Sequence, residues 1–215
     1  KHVTDASYPF LIQEKYRAGY FTHYAGEGTV RSAKLKHNGE EVDLCLCRTK
    51  AHFSQEGSTR ILTLDPVDIE FYDLTVKLQT IVSFEEGSSA IKIERKILEM
   101  SDPNAEVELN EYIVACYGTT EYSEDMLGIT LSTKKGDEVE TLDYECREME
   151  KADADEVRAV IPQIETAVSM STNAEGAVGY VKEGYAFSPM FTLGYNSKIK
   201  DKEVVATWLK LEKAN

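Results

Sequence analysis

Leu74-Thr75-Val76-Lys77-Leu78-Gln79-Thr80-Ile81-Val82-Ser83-Phe84 decides the class of fold. Leu74, Val76, Leu78, Val82 and Phe84 fall on even positions, while Lys77 and Gln79 fall on odd ones. A period of two sends alternate side chains to opposite faces of an extended chain. One face is therefore buried and the other wet, which is the habit of an antiparallel strand. Upstream, Ile69 and Phe71 are apolar on odd positions, so the parity switches near Tyr72-Asp73 and a bulge or bend is expected there.

Working downstream, Glu85-Glu86-Gly87-Ser88-Ser89 reads as a turn. Ile91, Ile93 and Ile97 then share one face, with Lys92, Glu94 and Lys96 on the other. Ser101-Asp102-Pro103-Asn104 is the next turn, because Pro presets φ and the flanking polar side chains hydrogen-bond the local backbone. Val107, Leu109, Ile113, Ala115 and Tyr117 line a third strand. Three long strands joined by short turns predict a meander.

The pattern recurs more weakly to either side. Residues 30–36 and 41–47 flank His37-Asn38-Gly39-Glu40, and Asn-Gly is a hairpin signal. Cys45 and Cys47 would then share one strand face. Residues 126–131 and 141–149 read as strands around Lys134-Lys135-Gly136-Asp137. Segments 167–171 and 177–181 predict a hairpin, as do 190–195 and 204–211. One stretch departs from the rule: Val157, Val160 and Ile161 have helical spacing, and Asp153 with Glu156 resembles a capping box, so a helix of about two turns ending at Pro162 is expected. No repeat or low-complexity linker divides residues 1–215, which read as a single antiparallel β-sandwich domain, an all-β, two-sheet fold with at most one short helix.

Composition bounds the partners. The 215 residues carry 24 basic and 38 acidic side chains, a net charge of −14. That balance argues against nucleic acid, whose phosphates need clustered Lys and Arg, and against an anionic membrane surface. No run of 18 apolar residues exists to span a bilayer. Hydrophobic residues make up 42%, enough for a core, and 29% charge favours solubility. The composition leans toward a bacterial, cytoplasmic protein, while the start at Lys1 is also compatible with a processed, secreted one. Cys45, Cys47, Cys116 and Cys146 show no metal-finger spacing and read as thiols, with a Cys116–Cys146 disulfide as the alternative.

Motif searches find no GxGxxG, GxxxxGK[ST], HExxH or GxSxG. The acids of Asp65-Pro66-Val67-Asp68-Ile69-Glu70 and Ser123-Glu124-Asp125 read as solvated carboxylates, so neither a metal nor a cofactor is expected. Arg95 shares the parity of Ile91, Ile93 and Ile97, and Glu111 that of Val107, Leu109 and Ile113. If the Asp102-Pro103 turn closes a hairpin, facing positions sum to about 204, and Arg95 lies one diagonal step from Glu111. Opposite charges on an apolar face imply a structural ion pair first, and a polar spot in a groove second. Tyr20-Phe21-Thr22-His23-Tyr24, Tyr117-Gly118-Thr119-Thr120-Glu121-Tyr122 and His52-Phe53 cluster aromatic and polar groups. Such clusters suit either a sheet surface or a sugar, whose C–H faces stack on rings. Of four histidines, His2 and His37 are expected to be solvated, leaving His23 and His52 as acid–base candidates beside Glu121 and Asp125.

The meander of residues 64–122, with Phe187-Ser188-Pro189-Met190-Phe191 and Ala206-Thr207-Trp208-Leu209-Lys210-Leu211, resembles the galactose mutarotase-like supersandwich. That resemblance implies a large two-sheet fold shared by sugar epimerases and by domains of polysaccharide lyases and glycoside hydrolases. It rests on strand texture, and none of the family's catalytic His and Glu residues maps onto a position here. Together these readings predict carbohydrate recognition on a concave sheet face. Tyr24, Tyr117 and Tyr122 would stack, and Arg95, Glu111, Glu121 and His23 would orient hydroxyls. The alternatives are an epimerase-type enzyme using His23 or His52 with a carboxylate, and an assembly protein, such as a homo-oligomer, whose exposed strands pair with a partner.

Overall fold

The computed structural model describes residues 31–117, 130–142, 148–151, 154–161, 165–184 and 190–213. These residues form β1 (Arg31–His37), β2 (Glu40–Asp43), β3 (Ala51–Glu56), β4 (Thr59–Leu64), β5 (Val67–Glu70), β6 (Thr75–Glu85), β7 (Ala90–Met100), β8 (Glu106–Tyr117), β9 (Thr130–Lys135), β10 (Glu138–Leu142), β11 (Glu148–Lys151), β12 (Glu156–Ile161), β13 (Thr166–Thr172), β14 (Val178–Gly184), β15 (Met190–Lys200) and β16 (Val204–Lys213). The strands make two antiparallel sheets, one of six in the order β11-β14-β15-β8-β1-β2 and one of ten in the order β10-β9-β12-β13-β16-β7-β6-β4-β3, with β5 also on β6. The expected all-β, two-sheet fold is the fold observed.

Local chemistry sets the hairpins. Asn38 and Gly39 join β1 to β2 with φ of 47° and 86°, the left-handed pair a tight two-residue hairpin requires. The parity switch at Tyr72-Asp73 is a hairpin turn, closed where the Phe71 N–H donates to the Leu74 carbonyl at 2.8 Å. β4 and β5 both lie along β6 and are interrupted at Asp65-Pro66, where Pro66 has no N–H for the ladder.

The expected meander is corrected. β6 and β7 form a hairpin, but β7 pairs with β6 and β16, whereas β8 lies in the other sheet between β1 and β15. The 101–105 turn is thus a corner between sheets. The two later hairpins are corners as well, since β13 and β16 belong to the ten-stranded sheet and β14 and β15 to the six-stranded one. The three corners meet at one end of the sandwich. There the Met100 N–H donates to Asp201 Oδ1 at 2.7 Å, and the Ala206 N–H donates to Asn173 Oδ1 at 2.7 Å.

Two further expectations are corrected. The helical stretch is the strand β12, with Val157 and Ala159 buried at 0% exposure and partners on both sides, β9 and β13. Ladder bonds from two neighbours outweigh weak helical spacing over so few residues. Cys45 lies in a 3₁₀ turn (Leu44–Leu46) and Cys47 caps it, so the two do not share a strand face.

Inward side chains of both sheets build the core in two halves. One gathers Ile93, Ile113, Val168, Met170, Leu193 and Leu209. The other gathers Leu35, Val76, Leu78, Ile97, Leu109 and Ile199. A polar seam separates them, at Thr80, Arg95 and Thr207 on the ten-stranded sheet and Glu111 and Ser197 on the six-stranded one, all buried. Arg95 Nε donates to Glu111 Oε1 at 2.9 Å, Arg95 Nη1 donates to Thr80 Oγ1 at 2.6 Å, and Thr207 Oγ1 donates to Glu111 Oε2 at 2.5 Å. The ion pair exists, but it spans the sandwich rather than a hairpin diagonal.

Leaving one buried charge without its partner costs about 3–5 kcal/mol, whereas replacing both by apolar groups of similar volume costs far less. Arg95→Met or Glu111→Leu alone should therefore lower unfolding free energy in urea by about that amount. The double variant should recover most of the loss. Equal losses for singles and double would refute the role given to the seam.

Candidate functional site

Buried inward positions leave the opposite residues of the ten-stranded sheet on its outer face. Register places Glu156 on β12 beside Ser171 on β13, Ser171 beside Trp208 on β16, and Trp208 beside Lys92 on β7. The next row along the strands holds Ser132, Arg158, Ser169 and Lys210. The outward residues of β13 are small, Ala167, Ser169 and Ser171. Between taller neighbours on β12 and β16 they leave a shallow trough that is open only at half-buried Ser171, because Ala167 and Ser169 are buried, at 0% and 3% exposure, under the Arg158–Glu212 bridge. Its width is two strand spacings, about 9.6 Å.

Charges line the walls of the trough. Arg158 Nη2 meets Glu212 Oε1 at 3.0 Å, bridging over β13 where the small side chains leave room. Arg158 Nε is itself buried and without a hydrogen-bond partner. Lys210 Nζ lies 2.7 Å from Glu212 Oε2. This hydrogen bond is the largest influence holding the Glu212 carboxyl below its ordinary 4.5; burial opposes it, and the charges of Lys210 and Arg158 add to it. The Lys92 ammonium lies over the Trp208 indole, 5.7 Å from the ring centroid, and is tied to Glu94 at 2.9 Å. At the Ser171 level the trough thus offers an aromatic ring on one side and a carboxylate on the other.

The residues singled out from sequence fall elsewhere. Arg95 and Glu111 are 0% and 2% exposed between the sheets, which corrects the expectation that they line an open face. Their parity is that of the core, so each turns inward and finds the other. His52 lies on the outer face of β3, 63% exposed, with Nε2 at 2.8 Å from Asp65 Oδ1. Four strand spacings, about 19 Å, separate β3 from the Trp208 strand. The cleft under Asp65, walled by Leu44, Cys47, Thr49 and Thr80, has room for about one water. Tyr117 ends β8, and its side chain lies outside the described residues. So do His23, Tyr24, Glu121, Tyr122, Asp125 and the proposed Cys116–Cys146 bond. No cluster of metal-binding type occurs among the described residues. His37 corrects a further expectation: its side chain is only 12% exposed, with Nε2 at 3.2 Å from Asp73 Oδ1 and Nδ1 at 3.2 Å from the Glu106 carbonyl.

Sequence reasoning missed Trp208, Glu156, Arg158 and Ser171. The signal for Trp208 was available: the only tryptophan has the opposite parity to Val205, Thr207 and Leu209. The β12 residues were lost with the helical reading.

No family model matches the chain, and no curated protein matches it in sequence. Solved structures match in fold. The Slr1438 protein of Synechocystis sp. PCC 6803 is 12% identical over 84% of this chain and 73% of its own, with a TM-score of 0.55. An alpha-N-acetylgalactosaminidase from Bifidobacterium bifidum is 8% identical with a TM-score of 0.55, and the match covers 85% of this chain but 31% of that one. A galactose mutarotase related enzyme from Lactobacillus acidophilus is 6% identical over 85% of this chain and 79% of its own, with a TM-score of 0.50. The galactose mutarotase-like resemblance read from the strands holds at the level of fold.

Because the folded Glu212 carboxyl is held low, its stabilising contribution is present above the unfolded value and is lost as pH falls through the folded one. A carboxyl-carbon NMR titration should give Glu212 a midpoint below 4.5, moving back toward 4.5 in Lys210→Met. An ordinary midpoint in the unaltered protein would contradict the geometry of the trough wall.

Proposed function

We propose that the chain recognises carbohydrate in the trough on the outer face of the ten-stranded sheet. The observation that carries this reading is the row Glu156, Ser171, Trp208 and Lys92 across four adjacent strands. A sugar ring has apolar C–H faces and a rim of hydroxyls. An indole accepts the first, while a carboxylate, a hydroxyl and cationic donors take the second. Trp208 is the stacking ring, Glu156 and Ser171 bind hydroxyls, and Arg158 supplies donors from the next row. The solved structures that share the fold add support by analogy, since two of them are described as a galactose mutarotase related enzyme and an alpha-N-acetylgalactosaminidase.

Binding is favoured over catalysis by position. The catalytic alternative has one geometric support, the His52–Asp65 contact at 2.8 Å. That pair is open to solvent and far from the ring, whereas an acid–base group must reach the atom it serves within hydrogen-bond distance.

Trp208 is the only tryptophan, so its emission reports on this site alone. Titrating the protein with galactose, N-acetylgalactosamine, glucose and their oligosaccharides should give a saturable change in tryptophan fluorescence for at least one sugar. Glu156→Gln should weaken that binding by about tenfold, the loss of one charge-assisted hydrogen bond. A flat response across the panel would remove the proposal.

A further inference from the structure

We propose that the chain pairs with a second copy of itself along β3, which extends the ten-stranded sheet across a two-fold axis. Among the described strands β3 is the edge of that sheet, and all six of its residues, Ala51–Glu56, are exposed. The Asp65 N–H donates to the Lys50 carbonyl at 2.8 Å, so residue 50 turns its backbone groups toward β4. In an antiparallel ladder those groups alternate in direction from one residue to the next. Ala51, Phe53 and Gln55 therefore point their N–H and C=O groups out from the sheet, a row that no described strand pairs with.

The sequence of this edge is complementary to itself. Centred on Phe53, an antiparallel pairing sets Phe53 against Phe53, Ala51 against Gln55, and Lys50 against Glu56 at both ends. The three residues with outward backbone groups meet only one another in this register, so every ladder bond can form. Phe53 projects from the inner side at 67% exposure, uncovered by the shorter sheet, and two copies of it would cover each other. The other edges among the described strands carry a surplus of acids: β2 has Glu40, Glu41 and Asp43, β5 has Asp68 and Glu70, β10 has Glu138 and Glu140, and β11 has Glu148 and Glu150 against Lys151. In a chain of net charge −14, like charges along an edge repel a second copy. β3 has one acid, at its end, balanced by Lys50. A six-residue edge buries less than a standard interface, so association should be weak and concentration-dependent. This inference does not depend on the carbohydrate reading.

Sedimentation equilibrium of the full chain from micromolar to millimolar concentration should show a reversible monomer–dimer equilibrium. Phe53→Pro removes an outward N–H without touching a β3–β4 bond, and it should abolish the dimer while circular dichroism and the melting temperature stay near those of the parent. Lys50→Glu and Glu56→Lys should each weaken self-association at least about tenfold, because each sets like charges together twice. An equimolar mixture of the two variants, or the double variant, should restore it. A monomer throughout the concentration range overturns the proposal, as does a dimer that Phe53→Pro and the charge variants leave unchanged.

Discussion

The contact between Arg95 and Glu111 is the constraint on which the sandwich turns. Apolar burial drives two sheets together but is non-directional, and Leu, Ile and Val faces tolerate many alignments. A guanidinium and a carboxylate sealed from water do not, because each must find its partners at fixed distance and angle. Here the seam runs through β6, β7 and β16 on one sheet and β8 and β15 on the other, at the level where the two core halves meet. A slide of either sheet by one residue, about 3.4 Å, would part Glu111 from both Arg95 and Thr207 and leave two buried charges without each other. The seam thus selects one alignment out of those that packing alone permits.

That alignment also fixes what lies on the outside. With Arg95, Thr207 and Leu209 turned inward, Lys92, Glu94, Trp208 and Lys210 must face outward. On β13, Val168 and Met170 fill the core, so Ala167, Ser169 and Ser171 face the other way, the first two covered by the Arg158–Glu212 bridge and Ser171 left half-open. The trough is the reverse side of the same alternation that builds the core, and no loop is needed to shape it.

Much of this was legible in the sequence, in a way that follows from geometry. Period two states which side of a strand is buried, and it identified the inward Arg95 and Glu111 as a pair. It does not state which strand is the neighbour. Ser101-Asp102-Pro103-Asn104 has the chemistry of a reversal whether the chain returns along the same sheet or crosses to the facing one, and alternation continues unbroken through either. The meander and the hairpin around residues 173–177 were misread for that reason. β12 was misread because Val157, Val160 and Ile161 fit a helix when taken alone, while its small core residue Ala159 carries little hydrophobic signal. Trp208 stands alone in its local sequence, because on a sheet the neighbours that make a site come from other strands and leave no trace beside it.

Six strands cannot cover ten, so β3, β4 and the end of β6 extend past their facing partner, and Phe53 and Phe84 stay 67% and 43% exposed on what should be a core face. Elsewhere the acidic surplus of the chain guards the margins, and the outer face is laced by local pairs such as Lys92–Glu94 and Arg158–Glu212. Surface pairs of that kind add little stability each. Their effect is to keep an open, ten-stranded face hydrated and closed to non-specific contact. Against such a background, a half-buried ring beside small hydroxyls, and a near-neutral edge with a bare phenylalanine, are the two places where this surface is built to be met.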